Sequence, residues 1–414
     1  MQTWLNKVKE NPLEFLTGIC ILMIAASGGA LRNVASSALA IIFIASLFYF
    51  KHWKHTWQGL DKAEKLLLVG FVLYTLTALL SRVNASDTHE FTKEFGRYIR
   101  FTLIIPVYLM MRMKSLRLSQ YFLVGVVSSG FVYFVVALNS VIENPAFPAS
   151  GHYHHITFGD AAMLNIGIMG VMLLLSGYRP IINILISISL LCASYAVLLS
   201  QARGAWVMLP LYLLAAITYL FLTRRADAIK LILISVIAAI ALMLSPAGTI
   251  VKARYNDAVT EVSQFDHGVR YDTSVGGRLS MWDIAFQVWK EHPLLGTGLG
   301  DFDEDMKRYQ AEGNFPNIAV HSSTHNIFVQ ALVSTGALGL AALFYALVIS
   351  PLVLFKNTDK EVWQWSIMGA VLVSSYVVFG LSESWILRAP AVSIYLAYLI
   401  LLVINTRKPE HTNT

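Results

Sequence analysis

Long apolar segments recur along almost the whole sequence and restrict the fold more than any other feature. Many of these segments reach about 18 residues, the length that an α-helix needs to cross ~30 Å of hydrocarbon. Only 14% of the 414 residues are charged and 56% are hydrophobic, whereas a soluble domain carries about 25% charged residues. Alternating ten-residue strands, typical of a membrane β-barrel, do not occur in the sequence. The sequence therefore predicts an all-α integral membrane protein.

The apolar segments predict about twelve transmembrane helices. They fall at residues 14–31, 34–50, 65–81, 98–112, 119–138, 161–177, 180–199, 204–223, 228–245, 326–355, 362–381 and 388–405. The first segment follows a basic stretch, as a signal peptide would, but no small-residue cleavage site ends it. We therefore interpret it as the first membrane helix.

Basic residues are distributed unevenly between the two sides of these helices. With the N-terminus inside, the short inner segments carry 17 Lys and Arg residues, and the short outer segments carry 7. Positive charge favours the cytoplasmic side, so this bias places both termini in the cytoplasm. The same distribution accounts for the net charge of +6, and we expect no nucleic-acid partner.

The orientation places one long polar loop outside. The chain divides into helices one to nine (1–245), the outer loop (246–325), and helices ten to twelve with a cytoplasmic tail (326–414). Apolar residues at helical spacing predict one amphipathic helix near 250–262 and a second that starts near Gly276. The proline and glycines of HPLLGTGLG end the second helix. We expect a helical hairpin that caps the bundle, since its aromatic content argues against a flexible connector.

Arginines on the outer face are candidates for binding an anion. Arg203 lies in QARGAW, between two membrane helices, where arginine is costly and usually has a partner or an anionic ligand. The alternative is an arginine that only snorkels to the interface. Arg278 follows two glycines at a predicted helix start, where a guanidinium and free N–H groups favour phosphate. The other outer-face candidates are Arg97, Arg100, Arg254 and Arg270.

His325 and Glu383 are the candidate acid–base groups. A histidine at a helix start on a wet face can act as a general base, although a lone histidine is more often a cap or a core hydrogen-bonding group. Glu383 lies at the outer end of a predicted helix, and its alternative interpretation is an ion pair with Arg388. His321 lies in the same outer segment and is assigned a supporting role.

No metal or cofactor site is predicted. The acidic residues 301–305 lack the glycine and the distal glutamate of a calcium loop, and the histidines of 152–155 lack a further ligand nearby. A solvated acidic turn is the simpler interpretation of residues 301–305. Phosphate loops, dinucleotide fingerprints and serine nucleophile elbows do not occur in the sequence.

Three motifs together resemble the O-antigen ligase family, within the O-antigen ligase/polymerase superfamily of bacterial envelope glycosyltransferases. His325 stands eleven residues before Gly336, as in the signature of that family. Arg203 in QARGAW is similar to the arginine that follows the seventh helix. Arg278, followed by Trp282 and HPLLGTGLGDF, is similar to the loop segment that carries a second arginine. Twelve helices with one large outer loop also agree with the family.

The resemblance implies a GT-C-like, metal-independent, inverting glycosyltransferase of the bacterial inner membrane, with its active site in the periplasm. The donor would be a polysaccharide on undecaprenyl diphosphate and the acceptor a sugar hydroxyl of lipid A–core. Arg203 and Arg278 would hold the diphosphate, and His325 would orient or deprotonate the acceptor hydroxyl. Glu383 corresponds to an acidic residue of relatives, whereas Arg254 has no assigned role.

Several alternatives to the ligase stay open from the sequence. An O-antigen polymerase would use a growing glycan as acceptor. A protein O-oligosaccharyltransferase usually carries an additional C-terminal region, for which 414 residues leave no room. A polysaccharide-lipid transporter would place ionisable residues near the membrane midplane and often has repeated halves. A polysaccharide-binding scaffold would not need a histidine beside arginines.

Overall fold

The computed structural model describes residues 11–114, 116–175, 177–246, 248–266, 274–313, 319–357 and 359–407. Helices and loops make up these ranges, and no strand occurs within them. The α-helices are α1 Pro12–Ser27, α2 Val34–Leu47, α3 Trp53–Gly59, α4 Lys62–Leu80, α5 Thr88–Tyr98, α6 Arg100–Lys114, α7 Ser119–Glu143, α8 His155–Leu175, α9 Pro180–Ser200, α10 Arg203–Trp206, α11 Met208–Thr223, α12 Arg225–Leu244, α13 Gly248–Asp266, α14 Ser274–Glu291, α15 Phe302–Ala311, α16 Ile327–Phe344, α17 Ser350–Leu354, α18 Trp363–Gly380 and α19 Ala389–Asn405.

The protein is an all-α integral membrane protein, as the apolar segments predicted. Among the described residues, eight helices are long and apolar enough to cross a membrane. A ninth is added if α2 and the helical segment Phe50–Gly59, which meet at 66°, form one span. Every predicted segment corresponds to a helix. The count is nevertheless below twelve, because α1, α6 and α19 have only 16, 15 and 17 residues.

Helix α19 forms the centre of the bundle. All residues from Pro390 to Val403 are buried, and α19 packs against α2, α6 and α18. Its Tyr395 contacts the rings of Tyr376 and Trp385, with centroids 4.9 and 5.5 Å away. Helices α11 and α12 instead leave most of their apolar side chains exposed. The bundle thus has a central helix and, at its side, an apolar helical pair suited to contact with lipid.

Polar contacts join the helix ends at one end of the bundle, here called the loop end. Arg100 at the start of α6 donates to the Ala389 carbonyl at 3.0 Å, and His155 at the start of α8 lies 2.8 Å from the Ser200 carbonyl. At the opposite end, Glu64 pairs with Arg112 at 3.0 Å. The loop end also receives α13, because its Arg254 bonds to Gln201 after α9.

Helix α16 is broken at Gly336, and the glycine-rich segment 293–298 fills the break. Gly336 has φ 67° and ψ −169°, which is outside the helical region and favours glycine. The Ala337 N–H donates to the Pro293 carbonyl at 2.9 Å, and the Thr297 N–H donates to the Val333 carbonyl at 2.8 Å. In addition, the Leu338 N–H donates to the Leu294 carbonyl, and the Gly298 N–H donates to the Ser334 carbonyl. The loop backbone therefore replaces helix hydrogen bonds that the break removes.

The acidic residues 301–305 contact the loop between α4 and α5, and that loop also contacts the glycine-rich segment. Asp301 is buried, and its Oδ2 accepts the Ser86 N–H at 2.6 Å. Glu304 accepts from the Ser86 hydroxyl at 2.8 Å. Asn84 donates to the Gly296 carbonyl at 2.7 Å. The expectation of a solvated turn was wrong for Asp301 and Asp305, which are buried, whereas Glu304 is exposed as expected.

The loop contains three helices in its described ranges, whereas the sequence predicted two. Helix α14 starts at Ser274 and α15 was not predicted. A small second core joins them to α16. Its buried members are Met281, Ile284, Ala285, Val288, Phe302, Met306 and Val333. The buried face of α14 is therefore the one with Met281, Ile284 and Val288, whereas Phe286 of the predicted apolar stripe is exposed. The loop is nevertheless a packed structure instead of a flexible connector.

The close packing at Gly336 predicts that Gly336→Ala destabilises the protein. A Cβ there would overlap the carbonyl carbon and oxygen of Leu294, and overpacking adds to the cost of positive φ, about 3 kcal/mol in all. We expect a lower thermal midpoint in detergent.

Gly313→Ala is the matched control for the cost of positive φ alone. Gly313 has φ +88°, and a Cβ added there would meet no other described atom within 4 Å. Its replacement should cost only about 1 kcal/mol. Equal midpoints for the two variants would contradict the role of the break.

Candidate functional site

His325 and Glu383 form a pair at the loop end. The Nδ1 atom of His325 lies 3.4 Å from Oε2 of Glu383, and Glu383 is buried in the turn after α18. Its Oε1 atom accepts the Ser384 N–H at 2.9 Å and lies 3.5 Å from Nη2 of Arg388. The ion pair of Glu383 with Arg388 that the sequence suggested is therefore present, and His325 is a second partner that the sequence did not indicate.

The backbone before α16 presents the His325 side chain to the site. His325 does not begin or cap the helix, because Asn326 is the N-cap and accepts from the Phe328 N–H at 2.9 Å. His325 itself has φ 51°, an uncommon conformation for a residue other than glycine. The preceding Thr324 is fixed on both sides: its N–H donates to Gln330 at 2.8 Å, and its carbonyl accepts from Trp282 Nε1 at 2.9 Å.

The charges around Glu383 keep it ionised. Burial alone would raise the pKa of Glu383, but the hydrogen bond with His325 and the charge of Arg388 lower that pKa to about 2. Burial lowers the pKa of His321, whose ring centroid lies 5.7 Å from that of His325, and the charge of His325 lowers it further. Burial and the neighbouring His155 lower the pKa of His154 to about 4. The site therefore combines an ionised carboxylate with several imidazoles.

Arg203 lies at the junction of α9 and α10, next to the turn that carries Glu383. A Cβ on Gly204 would overlap Oγ of Ser382, so the backbone after Arg203 contacts this turn directly. The Nη2 atom of Arg203 lies 3.5 Å from Oε1 of Glu261 on α13. Arg203 therefore has a partner, as predicted, and that partner is a carboxylate of the protein itself.

Arg278 is half-buried on α14 and has no ion pair or hydrogen bond among the described residues. Burial lowers the pKa of Arg278. The charges of Glu383 and Glu261 raise that pKa, and the charge of Arg203 lowers it. Arg278 lies one turn inside α14, which starts at Ser274. The expected contribution of helix N-terminal N–H groups to anion binding at Arg278 stays a prediction. Trp282, one turn further along, connects this helix to the backbone before His325.

The other arginines named from the sequence have protein partners where they are described. Arg254 donates from Nε to Oε1 of Gln201 at 2.9 Å. Arg97 pairs with Glu94 on its own helix at 2.7 Å. Arg100 donates to three oxygens at the starts of α2 and α19, at 2.8 to 3.1 Å. Arg270 lies outside the described residues.

Sequence reasoning missed Glu261 and Gln201. Glu261 follows Arg254 by seven residues, which places both on one face of α13. That spacing was the available signal for Glu261. Gln201 precedes Arg203 by two positions, but its φ of 53° could not be read from the sequence. These two residues connect α13 to the α9–α10 junction.

The candidate metal ligands do not form a metal centre in the described part of the chain. No group of three or more His, Cys, Asp and Glu residues there is arranged to hold a metal ion. The rings of His154 and His155 are 4.4 Å apart, and His155 faces the Ser200 carbonyl.

Comparison with known proteins gives a family match and two relatives. The family model described as O-antigen ligase matches residues 188–344. An uncharacterized protein from Haemophilus influenzae is 24% identical over 413 residues, which cover 96% of this chain and all of that protein. An O-antigen ligase from Escherichia coli is 24% identical over 328 residues, 77% of this chain and 74% of that protein. The family match contains Arg203, Arg278 and His325, and it supports the resemblance drawn from the motifs.

The low pKa of Glu383 predicts a pH-dependent contribution to stability. Because the pKa in the folded protein is about 2 and the ordinary value is 4.5, ionised Glu383 stabilises the fold above about pH 4.5. This contribution, about 3 kcal/mol, is lost as the pH falls towards 2. Glu383→Gln should therefore be less stable than the parent protein at pH 7, and the difference should shrink with acid.

Thermal midpoints in detergent between pH 7 and pH 3 measure this difference. The exposed Glu143, changed to Gln, is the control and should follow the parent protein. A gap between parent and Glu383→Gln that stays constant with pH would contradict the ion pairing of Glu383.

Proposed function

We propose that this chain is an O-antigen ligase, a function supported by the family match and by the relative from Escherichia coli. It transfers a polysaccharide from undecaprenyl diphosphate to a sugar hydroxyl of lipid A–core. The reaction takes place at the periplasmic face of the bacterial inner membrane, during lipopolysaccharide biosynthesis. The donor lipid and the acceptor lipid both reach the site from the membrane.

The observation that carries this proposal is the state of Arg278. A half-buried guanidinium without a hydrogen bond or ion pair among the described residues is costly unless an anion binds it. The charge of Arg203 disfavours the charged form of Arg278, whereas the charges of Glu383 and Glu261 favour it. Neither carboxylate, however, forms an ion pair or a hydrogen bond with Arg278 among the described residues. A diphosphate between the two guanidinium groups would remove the repulsion and accept bidentate hydrogen bonds from both.

Glu261 marks where the donor phosphate binds in this proposal. Its carboxylate faces Arg203 at 3.5 Å, which is longer than the usual charge-assisted hydrogen bond of about 2.8 Å. A phosphate oxygen, like this carboxylate, is a negatively charged acceptor. The donor diphosphate therefore replaces Glu261 at Arg203 when it enters the site. Helix α13, which carries Glu261 and Arg254, lies beside the bound donor.

We propose a chemical step in which His325 is the base and the two arginines hold the leaving group, as the resemblance implies. The acceptor hydroxyl oxygen attacks the anomeric carbon of the donor sugar from the side opposite the diphosphate, and the configuration inverts. The bond between that carbon and the diphosphate oxygen breaks with its electron pair. With Glu383 accepting a hydrogen bond from Nδ1, Nε2 of His325 takes the hydroxyl proton.

Arg203 and Arg278 stabilise the diphosphate as it leaves. The leaving group gains negative charge in the transition state, so the arginines stabilise that state more than bound donor. Glu383 in turn stabilises the imidazolium that forms on His325. We propose that the reaction needs no metal ion or cofactor, as the resemblance implied.

The orientation of the protein is part of this proposal. The excess of Lys and Arg in the short inner segments supports cytoplasmic termini and a periplasmic loop end. His325, Glu383, Arg203 and Arg278 all belong to that end. The donor and acceptor would therefore meet where the outer leaflet borders the periplasm.

Deletion of the gene in its host, followed by gel analysis of lipopolysaccharide, tests the proposed function. We expect loss of the polymer ladder with an intact core, while polymer accumulates on the lipid carrier. Complementation with the parent gene and with Lys307→Ala should restore the ladder, because Lys307 is exposed and pairs only with Asp303 on its own helix among the described residues. Arg278→Ala should not restore it, since the donor diphosphate loses a charged partner.

Two outcomes of this experiment contradict the ligase. A core with a single repeat unit but no ladder would identify a polymerase. An unchanged gel would leave the protein oligosaccharyltransferase and the transporter as the remaining functions. Membrane levels of each variant must match those of the parent protein.

His325→Ala should stop transfer while donor binding persists. Loss of a general base typically lowers kcat by about 10²–10⁴-fold, whereas the diphosphate still contacts Arg203 and Arg278. Transfer by purified protein and binding of undecaprenyl diphosphate measure the two effects separately. His292→Ala is the control, because His292 is exposed. Loss of donor binding in His325→Ala with unchanged kcat would make His325 a ligand for the donor and not a base.

A further inference from the structure

A buried carboxyl group lies beneath Glu383, and neither the reaction nor the packing described above accounts for it. Asp160 is on α8 and is 8% exposed. Its Oδ1 atom is fully buried and has no hydrogen-bond partner among the described residues. Such an atom in a protein interior costs free energy unless a partner, often a water molecule, satisfies it.

Asp160 and Glu383 line the same small cavity. Its wall also includes Thr157 on α8, Phe379 near the end of α18, and Trp385 after Glu383. The free space in this cavity is about that of one water molecule. Two carboxyl groups and a threonine thus share a water-sized space whose remaining lining is apolar or aromatic.

The turn that carries Glu383 has further buried polar atoms without partners in the described ranges. These are Oγ of Ser384 and Nε of Arg388. The contacts of Glu383 with His325 and Arg388, at 3.4 and 3.5 Å, are long for hydrogen bonds. Its short contact is to the Ser384 N–H of the same turn. These long distances indicate that charge attraction, more than a well-formed hydrogen bond, holds Glu383 to His325 and Arg388, so a further hydrogen bond could orient its carboxylate.

We infer that one ordered water molecule occupies this cavity and joins Asp160 to Glu383, which makes Asp160 a positioning residue for His325. The water donates one proton to a Glu383 oxygen and the other to Oδ1 of Asp160, and the hydroxyl of Thr157 is available as a third partner. The bridge fixes the Glu383 carboxylate towards His325. Asp160 does not touch the substrate and acts only through the water and Glu383.

The bridge requires hydrogen bonding at position 160, and a charge there is not required. Asp160→Asn keeps an oxygen acceptor of the same size, whereas Asp160→Leu removes it and leaves the water with one partner fewer. This inference rests on the proposed transfer reaction for its kinetic consequence. The water itself is a structural claim that holds whatever the substrate is.

Transfer kinetics with the two variants test the positioning role. We expect Asp160→Asn to keep kcat within about threefold of the parent protein. Asp160→Leu should lower kcat about ten- to hundredfold, the range expected for a lost hydrogen bond to a charged group, with unchanged KM for donor. Equal losses in both variants, or full activity of Asp160→Leu, would overturn the positioning role.

Asn165→Leu is the matched control for a merely structural effect. Asn165 is also a buried polar residue on α8, but it bonds to Tyr398 and to the Ala25 carbonyl, away from the site. Its replacement should lower the thermal midpoint and leave kcat per folded molecule unchanged. A fall in kcat equal to that of Asp160→Leu would mean that α8 packing alone explains both.

An experimental structure that resolves ordered water tests the bridge without any substrate. We expect a peak about 2.7–3.0 Å from both Asp160 and Glu383 in the parent protein, and none in Asp160→Leu. An empty cavity would overturn the inference, as would a peak about 2.3 Å from both carboxylates, which would be a cation. If the peak is present but transfer is absent in the parent protein, the proposed function fails and the water site stands.

Discussion

The arrangement of the site depends on the exchange of backbone hydrogen bonds at Gly336. A helix broken inside a membrane protein leaves N–H and C=O groups that must find partners. Residues 293–298 supply those partners to α16 on both sides of the break. The exchange attaches the end of α14 to the helix that follows His325, and the Trp282 hydrogen bond attaches its middle. Arg278 and His325 come from different parts of the chain, and these contacts hold the two residues at one end of the bundle.

The site combines charges that the protein does not fully neutralise. Glu383 has His325 and Arg388 as partners and stays ionised. Arg203 makes a long contact with Glu261, and Arg278 has no hydrogen bond or ion pair among the residues that the structure describes. A paired carboxylate beside incompletely paired arginines suits a site that binds a diphosphate and then stabilises it as a leaving group. In the proposed reaction, His325 is the base and is already paired with Glu383. The guanidinium groups of Arg203 and Arg278 bind the substrate.

Hydropathy and short motifs predicted the membrane helices and the candidate residues of the site, but not how they are held. Apolar length alone predicted α7, α8 and α9, because a run of that length has few alternatives in a membrane. Charge type and position indicated Arg203, Arg278, His325 and Glu383. The break at Gly336 was not predicted, since a glycine in an apolar helix is normally tolerated without a break. The roles of Asp301 and Glu261 were missed because both depend on partners distant in the sequence, Ser86 and Arg203.

A structure of the protein with undecaprenyl diphosphate bound tests the central claim most directly. We expect phosphate oxygens to contact both Arg203 and Arg278, the carboxylate of Glu261 to move away from Arg203, and His325 to stay paired with Glu383. The open side of the His325 ring should then face the position of the donor sugar. A diphosphate bound elsewhere, with the Arg203–Glu261 contact intact and no phosphate at Arg278, would contradict the account.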